Sequence, residues 1–164
     1  MSRIVHFIAR LMWPFSLVFG FYVVLHGHLT PGGGFQGGAV MATGFALMMV
    51  SGIWDDDELE RQAHKAHRLE TIGLLGFFFV AFLGACLGKG FFHNWLANAG
   101  GLFGASVETG CHGGSLDTAG TLPLMNLAVG VEVLGGIVVI LHALLRAMRE
   151  ADKPEIEAEA EDVD

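Results

Sequence analysis

The chain has 164 residues, of which 52% are hydrophobic and only 16% charged, with a formal net charge of −8 and a mean hydropathy of +0.53. That balance is far more apolar than an average soluble domain and points to a membrane protein. It offers no basic face and no aromatic-basic interleaving for nucleic acid. There is also no nucleophile-base spacing, no cofactor fingerprint and no extramembrane domain large enough for an enzyme pocket, so no catalytic residue, cofactor or metal is assigned.

A spanning helix needs about 20 mainly apolar residues, and four stretches qualify: residues 4–25, 34–54, 69–88 and 123–145. The expectation is an all-helical membrane protein with a four-span domain over residues 1–150. The first stretch starts beside Arg3 and resembles a secretory leader, but bulky residues stand where a peptidase would need Ala-x-Ala, so it is read as a retained helix. Pro14, near its first turns, is a candidate bend. The second and third stretches are the cleanest, with no ionisable residue from Phe35 to Trp54 and only the Cys86 thiol from Thr71 to Gly88. Between them, "LERQAHKAHRLE" has helical spacing and reads as an interfacial helix on which His64 and His67 share a face.

In a four-span chain every lysine and arginine except Lys89 falls on the side holding both termini and the middle loop. The positive-inside rule makes that side the cytoplasm. The turn after the first span and the long loop 90–122 then face outward, where Phe91, Phe92, His93 and Trp95 suit an interfacial belt. Much of the negative charge sits in residues 151–164, an acidic extension expected to be disordered, and the rest of the excess in "DDDELE" at 55–60. Cys86 and Cys111 belong to no Cys-x-x-Cys pair, and one lies at membrane depth, so no disulfide is expected.

The stretch "HGHLTPGGGFQGGAV", residues 26–40, connects the first two spans. A phosphate loop would need a lysine directly after its glycines, whereas the nearest downstream is Lys65. His26 and His28 without a nearby Cys or carboxylate are better read as interfacial polar residues than as metal ligands. A hinge accounts for every residue: Thr30 as a helix cap, Pro31 in a first turn, and Gly32, Gly33 and Gly34 for a tight reversal. Gly34, Gly38, Ala42 and Ala46 then recur every four residues, a small-residue stripe on which another helix can dock, in this chain or in a partner.

In the fourth span Glu132 is the one acid deep in a predicted helix. At the bilayer centre it costs a few kcal/mol unless paired, protonated or hydrated, so it faces protein or water. Ala128, Gly135 and Gly136 share its face, whereas Asn126 and His142 do not, so any relay partner must come from another helix.

Residues 26–47 resemble the signature of the B subunit of multisubunit Mrp-type sodium/proton antiporters, close to H-x-x-P-G-G-G-F-x-G-G, here His28, Pro31, Gly32, Gly33, Gly34, Phe35, Gly37 and Gly38. Residues 114–136 are similar to the segment through which that family enters its last helix. The resemblance runs to about Leu145 and implies a small four-helix accessory subunit, multi-pass in a bacterial or archaeal cell (inner) membrane. Its partners would be larger antiporter-like subunits moving Na+ and H+, or the related ion-translocating module of a respiratory complex such as a membrane-bound hydrogenase. The acidic tail and "VETGCHGG", residues 107–114, depart from the family pattern. One reading has Glu132 and the Pro31 to Gly38 hinge contributing to an ion path or its seal; the alternative is a purely structural scaffold, with Glu132 a structural ion pair or a neutral, hydrogen-bonded carboxyl.

Overall fold

A computed structural model describes residues 2–97, 99 and 119–161, with side chains described as far as Ala151. Four helices follow in order: α1 (Arg3–Leu25), α2 (Gly34–Val50), α3 (Asp56–Cys86) and α4 (Leu122–Glu161). Three of them, α1, α3 and the Leu122–Ala151 part of α4, are long and apolar enough to cross a membrane. The loop residues 107–114 and Cys111 lie outside the described residues.

Local chemistry sets the helix ends. The Ser2 hydroxyl caps α1 by accepting from the amide of Val5, and α1 continues through Pro14 as one helix. α2 is shorter than residues 34–54, having 17 residues, or about 25 Å at the usual helical rise. It stops where the Ser51 hydroxyl turns back to the Met48 carbonyl and Gly52 takes φ +70°. Ile53 and Trp54 therefore leave the helix, and Trp54 packs its ring 6.1 Å from that of Phe45.

The third span is not preceded by a separate interfacial helix, because α3 is one helix of 31 residues. Asp55 caps it through the Glu58 amide at 2.8 Å, and Asp56, Asp57 and Glu58 complement the helix dipole in the first turn. Glu58 is held below the usual carboxylate range, chiefly by a hydrogen bond from Gln62, with Arg61 adding to it against a desolvation penalty. No glycine or proline interrupts the sequence before Gly73, so nothing stops the helix at the change from charged to apolar residues. α4 likewise passes beyond residue 145 and is helical to Glu161, well into the acidic stretch expected to be disordered.

α2 lies between α1 and α4, and α3 packs along α4. Toward the end where α1 begins and α2 stops, a small core forms from Ala42, Met49, Leu59, Ala66 and Val138, flanked by Phe45, Trp54 and Ile137. There the His6 Nε2 lies 2.7 Å from the Ser51 carbonyl and ties the start of α1 to the end of α2. At the opposite end Asn94 closes α3 onto α4: its Nδ2 donates to the Ala119 carbonyl, and its Oδ1 accepts from the Thr121 amide and hydroxyl. Ala119 sits there at φ +69°, and Thr121 is buried.

Candidate functional site: the glycine hinge and the α3–α4 seam

The 26–38 stretch is a connector with two different ends. His26 closes α1, its Nδ1 3.0 Å from the Tyr22 carbonyl and its ring stacked 4.1 Å from the Tyr22 ring. Thr30 does not cap the next helix; its hydroxyl donates to the His26 carbonyl and helps finish α1. Pro31 is not in a first helical turn either, since α2 starts only at Gly34. The cap of α2 is Gly33, at φ 152° and ψ −172°, with no side-chain hydrogen bond. A side chain rarely adopts that backbone, so the reversal demands glycine at this position.

The hinge glycines bring three backbones together. A Cβ on Gly34 would land on the Asn126 carbonyl of α4, and one on Gly38 would lie 2.7 Å from the Gly130 carbonyl. Gly37 faces the other way, against Gly20 and Val24 of α1, as does Gly44 against Ser16. The stripe Gly34–Gly38–Ala42 is thus spent inside the chain, on α4. A second small face, Gly37 and Gly44 toward α1, was missed because a stripe search at four-residue spacing looks along one row only. Phe35 is exposed, and Gly32 is half-buried beside Val23.

Two polar side chains lie under the hinge. The Asn126 amide sits against Gly27 and Gly33, away from Glu132. His28 is half-buried, yet both of its ring nitrogens are shielded from solvent and have no hydrogen-bond partner among the described residues. A buried ring N–H without an acceptor costs about 1–3 kcal/mol.

Glu132 lies on the α3–α4 seam. A Cβ on Gly73 would come within 2.5 Å of the Glu132 amide nitrogen and 2.7 Å of the Ala128 carbonyl, so the two helices touch backbone to backbone beside the acid. Gly135, next on that face, is packed equally closely against Glu70 and the Ala66 carbonyl. Glu132 is half-buried and has no hydrogen bond or ion pair among the described residues. From Leu122 it lies about 15 Å along the helix.

The seam supplies a carboxylate that the sequence reading did not place there. Glu70 of α3 sits against Gly135 and Gly136, one turn along α4 from Glu132, or roughly 5 Å along the axis. His67 Nδ1 stands 3.2 Å from the Glu70 carboxylate. His64 turns instead to Glu60, at 3.8 Å, so the two histidines do not converge on one point. Among the described residues no group of three or more His, Cys, Asp or Glu side chains is placed to hold a metal ion.

Among the described residues the chain is helical, with three membrane-capable helices close-packed through glycine and an acid without an ion pair at a helix seam, which is the character of a membrane protein. Comparison makes this specific. A family model described as a domain related to the MnhB subunit of Na+/H+ antiporters matches residues 4–139, and the chain belongs to that family. It is 32% identical over 132 residues to a Staphylococcus haemolyticus protein named as antiporter subunit mnhB2, covering 78% of this chain and 83% of that one. A Staphylococcus saprophyticus protein of the same name is 54% identical over 35 residues, 21% of this chain and 25% of that one. An uncharacterised Methanocaldococcus jannaschii protein is 35% identical over 143 residues, covering 83% of this chain. The chain spans about half of that relative, 49% of its length.

Proposed function

We propose that this chain is an accessory, non-catalytic subunit of a multisubunit cation/proton antiporter, with all four helices crossing the membrane and both termini in the cytoplasm. Family membership supports the assembly, and one observation carries the direct part in ion movement. Glu132 is unpaired among the described residues, half-buried, and set against a neighbouring backbone about 15 Å into a membrane-capable helix. A carboxylate in that position is expensive unless it is paired, protonated or hydrated, and acids at such depth by default mark ion paths. The 17-residue α2 is at the short limit for spanning, and its place between α1 and α4 lets those helices carry it across. The same chemistry would serve the ion-translocating module of a respiratory complex.

The test is Glu132→Gln, which keeps the shape and removes the charge. In everted vesicles carrying the intact complex, sodium-linked proton movement should be lost while the subunits still migrate together on a native gel. Unchanged transport would leave only the scaffold role for this chain. The scaffold reading draws little from the glycine faces described above, because they are consumed by contacts within the chain.

A further inference from the structure

The packing contacts set the relative heights of the helices, and those heights expose a mismatch between two sides of the molecule. Val24 of α1 meets Gly130 of α4, and Glu70 of α3 meets Gly135. Counting from the Val24–Gly130 contact toward the start of α1, at about 1.5 Å per residue, Arg10 and Arg61 come at about 21 Å and Arg146 at about 24 Å. Three arginines on three helices thus form one ring, the expected mark of the inner membrane boundary. On the same measure Lys65 and Arg68 lie about 6 and 10 Å inside that ring, in the acyl region.

Near that height α1 and α4 also present exposed apolar residues. Phe15 of α1 and Ile140 of α4 stand about 13 and 15 Å below the reference contact by the same count, and they are 62% and 66% exposed, as hydrocarbon-facing residues should be. Lys65 and Arg68 are exposed too, and neither has an ion pair among the described residues. They lie one turn apart on one helical face, which continues outward as Ile72, Leu75 and Phe79 along an open apolar cleft reaching Phe82 and Phe91. Lipid against this face would leave an arginine about 10 Å below the headgroups. Ionisable side chains at such depth face protein or water and find partners.

We infer that the inner half of α3 is a subunit interface, on which Lys65 and Arg68 dock against carboxylates of a neighbouring membrane subunit whose apolar side chains continue into the Ile72–Phe82 cleft. The inference rests on the reading of this chain as a spanning subunit and names the face and the chemistry of its neighbour. A phospholipid offers the same order of charge and hydrocarbon, but even with the Arg68 side chain extended toward the interface its phosphate would have to sink by several ångströms on this side alone.

The experiment uses the whole complex in vesicles of phosphatidylcholine and phosphatidylglycerol. Nitroxide labels are placed singly by K65C, R68C, F15C and I140C in a C86S/C111S background. Labels at 15 and 140 should be relaxed by oxygen, the lipid signature. Labels at 65 and 68 should be immobilised and should lose accessibility both to oxygen and to a water-soluble nickel chelate. Oxygen access at 65 and 68 would mean lipid covers the face, and nickel access there alone would mean water does; either overturns the proposal. Nickel access at all four positions would remove the spanning reading, and the interface with it. Because a label can itself disturb docking, K65E/R68E provides a second readout. It should abolish co-purification of the neighbours while the chain retains its helical circular dichroism, and full retention of the neighbours would overturn the proposal.

Discussion

At the residue scale, the seam between α3 and α4 is set by what is missing from Gly73. Its Cβ position falls 2.5 Å from the Glu132 amide, whereas that of Gly76, one turn on, has 3.7 Å to Ala128. Gly73→Ala should therefore push the helices apart and cost about 1–3 kcal/mol, the usual penalty of overpacking, while Gly76→Ala should be nearly silent. Thermal unfolding of the two variants in mild detergent checks this, and equal midpoints would contradict the seam as described. Glu132 was legible from the sequence because an acid amid apolar residues stands out without any structure. Glu70 was not, because its place beside Gly135 depends on the register of two helices separated by a long loop, and no local pattern encodes that register. Pro31 misled for a related reason: it is a good helix starter, yet the chain needs two further residues to reverse before α2 can begin at Gly34.

At the element scale, hydropathy found the helices and misplaced their ends. A hydropathy window breaks where charge begins, so it divided α3 near Leu69. The backbone responds to caps, glycine and proline, and finds none of them there, so the helix runs unbroken from Asp56. α2 fails in the opposite sense: Ile53 and Trp54 are apolar enough to extend it, but Gly52 at φ +70° ends it first. The Asn94 clasp, which ties the end of α3 to the start of α4, had no sequence signal beyond a lone polar residue among aromatics. Asn94→Ala removes the bonds to Ala119 and to the buried Thr121, and leaving those groups unpaired should cost about 1–3 kcal/mol. A lowered unfolding midpoint in detergent is expected, and an unchanged one would show that the clasp holds nothing.

At the scale of the whole molecule, the class and the family were legible, because composition fixed the membrane character and the His28–Gly38 motif is unusual. What the sequence could not convey is the division of labour among its small residues. The glycine stripe, which on sequence could serve this chain or a partner, is used to pack α2 against α4. The surface left for a partner is instead the charged inner half of α3, which opposes the apolar outer face of α1. That asymmetry suits a chain held among other membrane subunits better than one surrounded by lipid.

The most direct test of the central claim is to recover this chain with its native neighbours. Native membranes carrying a C-terminally tagged chain would be solubilised in a mild detergent, and the co-purifying proteins identified by mass spectrometry. The account predicts larger antiporter-like membrane subunits in constant ratio to the tagged chain. A chain recovered alone, under conditions that keep other membrane complexes intact, would contradict it.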